Sequence, residues 1–399
     1  MVYSVIGSNF GDEGKGLATD YLASKAGTSL VVRHNGGAQS GHTVELSGPD
    51  VKRFVFHELS SGSFRHADTY WAETYFPDMY KLDEEIEAFH DMEGFFPCIY
   101  ASPDCNITTI DDILLNMLFE SEREQRHGSC GMGINEADLR KKAGFGITFK
   151  ELFSYDEYSL YLKLLRIRRN YSDQRRSGAS TGTYLDMLTD DMVLMNFAEK
   201  VIRNRKYVTI CNDAKELFHK YDRVIFEGGQ GLQLDSEMEA NQPHVTASRT
   251  GLNNVLKILK MVNIKLDEAI YVSRTYLTKH GAGPLANENS KIKEKYGIVD
   301  NTNVENEWQG AIRYATWDNP RKSVFAVKQD LQCCPYPIRT SQFITHLNET
   351  GDRVLFAGGD LSIAEYMNHA DIRSVFDSYY LSRTPFSEDV IKVDTKTES

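Results

Sequence analysis

Short runs of β-branched and aromatic residues alternate along this chain with longer segments whose apolar residues recur at helical spacing. The runs predict strands at Val2–Ile6, Ser29–Val32, Phe54–His57, Val208–Cys211, Arg223–Phe226, Glu268–Val272, Phe343–Thr345 and Arg353–Phe356. The helical spacing predicts helices at Lys15–Ala26, Asp83–His90, Asp111–Phe119, Tyr184–Arg203 and Leu252–Lys260. Alternation of strands and helices over the whole length predicts an α/β fold with a large, mainly parallel central sheet flanked by helices.

The domain organisation is predicted to be simple. Residues 1–386 are expected to form one domain, with inserted loops or a small subdomain over about residues 121–183, a segment rich in charge and glycine. Residues 387–399 are predicted to be a flexible tail. Ligands of such sheets bind at the carboxyl ends of strands, so the glycine-rich segments after the first, second and fifth predicted strands are the candidate sites.

Composition and charge exclude several classes of protein. The 399 residues include 45 Lys and Arg against 57 Asp and Glu, a formal charge of −12, which argues against nucleic acid or an anionic membrane as partner. No signal peptide and no membrane-spanning run is evident. We therefore expect a cytoplasmic protein, in the host cytoplasm if its source is viral. The cysteines form no C-x-x-C pair and predict no zinc site: Cys98, Cys105, Cys130, Cys211, Cys333 and Cys334.

The first glycine-rich segment, GSNFGDEGKG, follows a predicted strand and opens a predicted helix. Glycines let the backbone approach an anion, the helix N-terminus favours negative charge, and Lys15 adds a cation. It is not a Walker A loop, because Asn9 replaces the first Gly and Gly16 stands where Ser or Thr would bind Mg²⁺. Asp12 or Glu13 could bind Mg²⁺ or act as a base; a tight turn with solvated charges is the alternative. The phosphate-binding candidates here are Asn9, Gly11, Glu13, Gly14, Lys15 and Gly16.

Two further segments follow predicted strands. RHNGGAQSGHT contains His42, which can donate a proton near neutral pH, and the polar candidates Gln39, Ser40 and Thr43. FEGGQG contains Gln230 and is followed by PHVTAS at residues 243–248. Each segment alone is compatible with an ordinary turn or loop.

Together and in this order, GDEGKG, GGAQSGHT, FEGGQG and HVTAS resemble the adenylosuccinate synthetase family across most of the chain. FHELSSG at residues 56–62 and HGAGP at residues 280–284 are similar to family segments as well. The resemblance implies a homodimeric ligase that binds a purine nucleoside monophosphate, a nucleoside triphosphate, Mg²⁺ and L-aspartate. It joins aspartate to C6 of a 6-oxopurine through a 6-phosphoryl intermediate.

The resemblance also implies residue roles. Asp12 would be the general base on N1 of the purine and a Mg²⁺ ligand, with the carbonyl of Gly41 as a second ligand. His42 would be the acid that stabilises charge on the transferring phosphoryl group, Gln230 would contact the purine or that group, and Lys15 the nucleotide phosphates. The positions matching the monophosphate site are Ser129, Cys130 and Thr246.

The chain departs from the usual family pattern at two binding segments. TNVENEWQGAIRY, residues 302–314, replaces an Arg-rich aspartate-binding loop and resembles the short archaeal and phage branch. Arg313 is the candidate for the aspartate carboxylates because its guanidinium can bind them in bidentate fashion; a surface Arg is the alternative. The other candidates in this segment are Asn303, Gln309 and Gly310. A family Arg that crosses the dimer has no clear equivalent near Gly144 and Phe145; Arg140, Lys141 and Lys142 are the possible substitutes.

The segment that reads the triphosphate base departs too. A T-K-L-D segment of the family is matched here by Thr345 to Asn348. A carboxylate accepts both donors of guanine, whereas Asn348 offers one acceptor and one NH₂ and suits adenine. We therefore expect ATP or dATP rather than GTP. The candidates for this base site are His346, Asn348, Gly358 and Gly359.

The acceptor stays open between two nucleotides. The retained Asp12 favours IMP and thus adenylosuccinate formation in purine biosynthesis, because the phage enzymes that use dGMP typically have Ser at that position. The altered aspartate loop and the ATP preference favour dGMP, which would give N6-succino-2-amino-2′-deoxyadenylate. Alternatives of another class are a non-catalytic nucleotide-binding protein and a generic P-loop ATPase or GTPase.

Overall fold

A ten-stranded sheet forms the centre of this computed structural model, which describes residues 1–123, 129–176, 178, 182–299 and 310–394. The strands are β1 Val2–Gly7, β2 Ser29–Arg33, β3 His42–Leu46, β4 Lys52–Phe56, β5 Asp68–Trp71, β6 Ile99–Ala101, β7 Val208–Ile210, β8 Arg223–Gly231, β9 Glu268–Arg274, β10 Leu277–Lys279, β11 Arg313–Ala315, β12 Arg339–Thr345, β13 Arg353–Val354, β14 Leu361–Ser362, β15 Ser378–Leu381 and β16 Ile391–Asp394.

The order across the sheet is β16, β15, β12, β9, β1, β8, β2, β5, β6, β7. Every neighbouring pair is parallel except β15 and β16, which are antiparallel. The predicted large, mainly parallel sheet is therefore confirmed. Every residue of β2 and β9 is buried, as expected for strands covered on both faces, and this is why each has an uninterrupted apolar centre, at residues 30–32 and 269–272.

Helices flank the sheet, and none of those described is long and apolar enough to cross a membrane. The α-helices are α1 Lys15–Ala23, α2 Leu82–Glu93, α3 Ile110–Glu122, α4 Ile134–Lys142, α5 Phe149–Leu152, α6 Glu157–Ile167, α7 Asp173–Arg175, α8 Thr183–Thr189, α9 Asp191–Asn204, α10 Ala214–His219, α11 Leu252–Val262, α12 Lys291–Tyr296, α13 Pro320–Ser323, α14 Phe325–Leu331, α15 Ile363–Asn368 and α16 Ala370–Arg373.

Two of the predicted helices are shorter or interrupted in the structure, whereas the other three extend further than predicted. Helix α1 stops at Ala23, where Ser24 caps it through its N–H to the carbonyl of Asp20, and does not reach Ala26. The predicted helix Tyr184–Arg203 is interrupted at Asp190, whose extended backbone separates α8 from α9. The side chain of Asp190 accepts the N–H of Met192, so this residue starts a new helix.

Two predicted strands lie outside the central sheet. The run Phe54–His57 contributes to β4, which forms an antiparallel hairpin with β3, and Arg353–Phe356 contributes to the hairpin of β13 and β14. In the first hairpin His42 lies opposite Phe56, whose fully buried ring packs in a cluster with Phe54, Phe64 and Phe89. The hairpin is thus fixed to the core on the side that carries His42.

The FEGGQG segment was expected as a loop after a strand, and this expectation is wrong. Strand β8 continues to Gly231, with a bulge: Val5 of β1 lies opposite Glu227, and Gly7 lies opposite Gly231. A Cβ on Gly231 would lie 2.2 Å from the carbonyl oxygen of Asn9, so only glycine fits where these backbones meet. Sequence propensity did not indicate a strand here because half of the segment is glycine, a poor strand former.

The predicted insertion and tail are more ordered than expected. The described part of residues 121–183 is largely helical, and its Ile147, Phe149 and Leu164 join the buried cluster that contains Trp71. Of the predicted tail 387–399, residues Ile391–Asp394 form β16, which pairs with β15 at the sheet edge. The segment up to residue 394 is therefore part of the fold; residues 395–399 lie outside the described part.

Arg140 is a structural residue and not a free cation. Its guanidinium is fully buried and donates to both carboxylate oxygens of Asp112 at 2.9 and 3.1 Å, and to the carbonyls of Phe145 and Ile107. The geometry gives no support to Arg140 as the substitute for the cross-dimer Arg, since each of its three guanidinium nitrogens already donates to an acceptor of the same chain. Lys142 lies on the same helix, 68% exposed and paired with Asp138.

Replacing Arg140 by Met should lower the free energy of unfolding by about 3–5 kcal/mol, because the buried Asp112 carboxylate loses its partner. The matched change Lys142→Met should cost less than about 0.5 kcal/mol, since exposed pairs contribute little. Urea denaturation followed by circular dichroism measures both. Equal stability of the two variants would contradict a structural role for Arg140.

Candidate active site

Six neighbouring strands of the sheet end at one cavity of about 880 Å³. In sheet order β15, β12, β9, β1, β8 and β2, each strand places residues on the cavity wall at or just beyond its carboxyl end, or in the bulge of β8. These residues are Ser382 and Thr384 after β15, Thr345 and His346 at the end of β12, Arg274 of β9, Gly11 and Asp12 after β1, Gly229 and Gln230 of β8, and Gln39 and Ser40 after β2. The predicted position of the site is therefore matched by the geometry.

The N–H groups of the loop between β1 and α1 bind the carboxylate of Glu13, which belongs to the same loop. One oxygen of this buried carboxylate accepts the N–H groups of Asn9 and Gly11 at 3.0 and 2.9 Å, and the other accepts Lys15 Nζ at 3.0 Å. Neither Asn9 nor Glu13 lines the cavity, whereas Gly11, Gly14, Lys15 and Gly16 do. Glu13 thus shapes the loop, and the geometry gives no support to a phosphate contact by Asn9 or Glu13.

Asp12 points from this loop towards the cavity. Its backbone has φ of 60°, a left-handed conformation unusual for a residue with a side chain, and Arg274 Nε donates to its carbonyl oxygen at 2.6 Å. The carboxylate is 28% exposed, and its Oδ2 lies 3.7 Å from Nε2 of His280. The backbone of Asp12 is thus fixed while its carboxylate stays accessible, and both properties suit a general base or a metal ligand.

His42 is oriented by a buried carboxylate. Its Nδ1 lies 2.8 Å from Oε1 of Glu227, so Nδ1 carries the hydrogen and donates it. Its Nε2 is buried and has no hydrogen-bond partner among the described residues, although His42 lines the cavity. Burial lowers the pKa of His42, and the charge of Glu227 opposes that shift. The free nitrogen is available to a ligand.

Glu227 stays ionised because cations and donors surround it. Burial opposes its charge, yet His42 and Arg33 together lower the pKa of Glu227 to about 2. Arg33 Nη1 donates to Glu227 Oε2 at 3.2 Å, and its Nη2 donates to Ser40 Oγ at 2.7 Å and to the carbonyl of His57 at 2.9 Å. A buried, ionised Glu beside an imidazole fixes both the tautomer and the direction of the ring.

Sequence reasoning missed Glu227 and Arg33 as parts of the site. Both belong to segments that carry the resemblance, FEGGQG and RHNGGAQSGHT, and each is a charged residue that directly follows a predicted strand. A charged side chain inside a buried strand needs a partner, and that signal could have paired them.

One end of the cavity gathers the predicted monophosphate residues. Ser129, Cys130 and Thr246 line it, together with two residues not predicted, Asn116 and Arg123. Ser129 Oγ donates to Asn116 Oδ1 at 2.8 Å. Arg123 Nη1 lies 2.6 Å from Glu120 Oε2 and is 38% exposed. Hydroxyls beside a partly exposed guanidinium form a site suited to a phosphate.

The segments after β12 and β15, which lie furthest from β2 in the order of the strands at the cavity, carry part of the predicted base site and form its base-suited end. His346 and Asn348 line the cavity after β12, and Ser382, Thr384 and Pro385 line it after β15. Gly358 and Gly359 are exposed and do not line the cavity, so the geometry gives them no part in it. Sequence reasoning missed the β15 segment because β15 was not predicted as a strand.

Of the predicted aspartate-binding residues, the structure describes Gly310 and Arg313, and neither lines the cavity. Asn303 and Gln309 lie outside the described residues. The guanidinium of Arg313 binds both carboxylate oxygens of Glu288, Nε to Oε1 at 2.9 Å and Nη2 to Oε2 at 2.5 Å. It also donates to the carbonyls of Gly281 and Gly283. It holds the HGAGP turn in place, and any bond to a ligand would require it to leave Glu288.

The donor set for a metal is small. No group of three or more His, Cys, Asp or Glu within the described ranges could hold a metal ion by itself. Asp12 and Gly41 both line the cavity, and Gly41 is exposed. One carboxylate and one carbonyl fit Mg²⁺, which commonly takes a few protein oxygens and completes its shell with phosphate oxygens and water.

Curated proteins with similar sequences are adenylosuccinate synthetases. The one from Francisella tularensis subsp. tularensis strain FSC 198 is 30% identical over 291 residues, which span 71% of this chain and 64% of the relative. The one from Francisella philomiragia subsp. philomiragia is 28% identical over 298 residues, with the same coverage. The matched part is thus less than two thirds of the length of these relatives.

Solved structures of similar fold cover nearly the whole chain. The fully ligated adenylosuccinate synthetase of Plasmodium falciparum aligns with a TM-score of 0.67 at 19% identity, covering 98% of this chain and 87% of its own. The succinoaminodeoxyadenylate synthetase of cyanophage S-2L, bound to dGMP and to dATP as an energy donor, aligns with a TM-score of 0.64 at 14% identity, covering 99% and 95%. The family model of adenylosuccinate synthetase matches residues 4–309, and with the shared fold and the 30% identical relative this shows that the chain belongs to the adenylosuccinate synthetase family.

Proposed function

We propose that this protein is an NTP-dependent carbon–nitrogen ligase that joins L-aspartate to C6 of a 6-oxopurine nucleoside monophosphate through a 6-phosphoryl intermediate. The observation that carries the proposal is that Asp12 and His42, the latter oriented by Glu227, line one cavity together with a phosphate-suited end and a base-suited end. Two nucleotides bound at those ends would meet at these residues. We also propose that the protein is a homodimer and acts in the cytoplasm.

Asp12 starts the reaction as general base. Its carboxylate takes the proton from N1 of the purine, so that O6 gains negative charge and attacks the γ-phosphorus of the triphosphate. The bond between O6 and phosphorus forms as the bond to the leaving nucleoside diphosphate breaks. The amine of aspartate then adds at C6, and inorganic phosphate leaves.

His42 acts on the phosphoryl group in transfer. Its Nδ1–H is held by Glu227, so its Nε2 faces the ligand. The negative charge of an incoming phosphoryl group favours the imidazolium form, which donates from Nε2 and stabilises the charge on the oxygens in transfer. A protein that only binds nucleotide would have no use for a base and an oriented acid in the same cavity.

The site suits Mg²⁺ as the family implies. Asp12 and the carbonyl of Gly41 would hold it, and bound Mg²⁺ supplies positive charge to the phosphate oxygens during transfer. Lys15, 3% exposed at the start of α1, adds a second positive charge at the phosphates. Gln230, on the bulge of β8, is proposed to contact the purine or the phosphoryl group.

The proposed donor is ATP or dATP. Asn348 is exposed at the base-suited end and offers one acceptor and one donor to the adenine edge, whereas guanine presents two donors side by side. The proposed acceptor is IMP, because Asp12 is retained as a base. The alternative acceptor is dGMP, which the structurally similar phage protein binds together with dATP.

A direct assay tests the proposal. The protein is incubated with Mg²⁺, IMP or dGMP, ATP or GTP, and aspartate, and phosphate release and product mass are measured. We expect release that depends on all three substrates, with a product heavier than the acceptor by the mass of one aspartate less one water, since O6 leaves in the phosphate. Phosphate release without aspartate would support a hydrolase, and no turnover with any pair would support a binding protein.

Replacing Asp12 by Asn should reduce kcat/KM at least about 100-fold, because a general base is removed. The change Asp50→Asn, at an exposed turn of the β3–β4 hairpin, should leave the kinetics unchanged. Steady-state assays of both variants measure this. Turnover near that of the unmodified protein in Asp12→Asn would refute the role.

Replacing Glu227 by Gln should reduce kcat about 100-fold and should move the loss of activity at high pH to lower pH. The charge of Glu227 opposes the lowering of the His42 pKa by burial, so its removal lowers that pKa further and the imidazolium is lost earlier as pH rises. The control Glu216→Gln lies on an exposed helix surface, with 66% of its side chain exposed. A pH profile that keeps its shape would show that Glu227 does not act through His42.

Replacing Asn348 by Asp should shift the ratio of kcat/KM for GTP over ATP by about 10-fold or more in favour of GTP, because a carboxylate accepts both guanine donors. Asn368→Asp, on an exposed helix end, is the matched control. Rates with each triphosphate give the ratio. A ratio equal to that of the unmodified protein would remove Asn348 from base recognition.

A further inference from the structure

Four Lys and Arg side chains line the cavity within the described part of the chain: Lys15, Arg123, Arg274 and Lys279. Lys15 is paired with Glu13 at 3.0 Å, and Arg123 with Glu120 at 2.6 Å. Arg274 donates to the carbonyl of Asp12 and to the hydroxyl of Tyr276. These three cations have partners that fix them in place.

Lys279, the last residue of β10, differs from the other three cations in its surroundings. Its Nζ donates to the carbonyl of Pro284 at 3.1 Å and lies 4.9 Å from the centre of the Phe10 ring. No carboxylate of the described residues lies within the 4.0 Å of an ion pair, and the residue is only 1% exposed. Glu288, the acidic group that favours its charge, is bound by Arg313. Burying a charged ammonium group without a counter-ion raises the free energy of the protein, and an anionic ligand bound beside it would offset that penalty.

The location of Lys279 identifies the ligand. Phe10, under its ammonium group, is two residues from Asp12, and His280, the next residue, lies 3.7 Å from the Asp12 carboxylate. In the proposed reaction Asp12 acts on N1, which is bonded to C6, where the amine of aspartate must arrive. A carboxylate attached to that amine through one or two carbons then lies beside Asp12.

We propose that Lys279 binds a carboxylate of the substrate L-aspartate. The inference rests on the proposed function and supplies its missing aspartate contact, since Arg313 is held by Glu288 and by the HGAGP turn. The phosphates of both nucleotides have other cations nearby, Lys15 and Arg123. Burial and the charge of Arg313 lower the pKa of Lys279 to about 8, and a bound carboxylate would raise it and keep the ammonium charged.

Kinetics of Lys279→Met test the proposal. We expect the KM for aspartate to rise at least about 10-fold, while the KM values for the monophosphate and the triphosphate change less than about 2-fold, because one charge-assisted hydrogen bond to aspartate is lost. Lys279→Arg keeps the charge and should recover part of the loss. Lys322→Met, 70% exposed on the surface, is the matched control.

Two outcomes would overturn the proposal. One is an unchanged KM for aspartate in Lys279→Met, and the other is a rise confined to either nucleotide, which would make Lys279 a phosphate ligand. If no wild-type preparation shows aspartate-dependent phosphate release, the proposed function itself fails. Active wild-type protein with a Lys279→Met variant of normal aspartate KM refutes the Lys279 assignment alone.

If Lys279→Met does not fold, as judged by circular dichroism, the pH dependence of the wild type decides. The charged form is present below its pKa of about 8 and lost above it, so the KM for aspartate should be constant below about pH 8 and rise above it. The neighbouring titratable and charged groups are Asp12, His280, Glu288 and Arg313. Lys279→Arg should remove the rise, because Arg stays charged; the same rise in both proteins would overturn the proposal.

Discussion

A carboxylate with no solvent contact keeps its charge only where cations and N–H groups surround it, and Glu227 meets this condition in the middle of the central sheet. The parallel register places Arg33 of β2 directly opposite Glu227 of β8, and Val5 of β1 opposite it on the other side. The same carboxylate accepts the Nδ1–H of His42 from the adjoining hairpin. One buried charge on β8 therefore links β2 and the hairpin, and it sets the direction of the imidazole.

Parallel strand order explains how distant segments of the chain form one site. Neighbouring parallel strands end on the same side, so six loops separated by up to hundreds of residues meet at their carboxyl ends. The order of the strands also orders the cavity: segments after β12 and β15 form the base-suited end, and the loops around β1, β8 and β2 form the centre. The proposed chemistry follows this order from donor base to acceptor phosphate.

The sequence allowed the sheet and most of the central loops to be predicted, because buried parallel strands have apolar runs and phosphate-suited loops are rich in glycine. It did not reveal that β8 continues through FEGGQG, since the bulge there is set by contact with the backbone of Asn9. Short strands such as β6 and β15 have too few residues for a clear periodicity. The roles of Glu13 and Arg313 depend on the partners that the fold brings to them, and spacing in the sequence does not show those partners.

The internal ion pair of Glu13 with Lys15 has a consequence for the timing of ligand capture. Because this carboxylate already satisfies the N–H groups of Asn9 and Gly11, the loop takes its shape when the chain folds. The conformational entropy of ordering it is then lost before any nucleotide arrives, and association is not slowed by a loop that must first close. The entropy lost in ordering this loop is therefore part of the free energy of folding and not of the free energy of nucleotide binding.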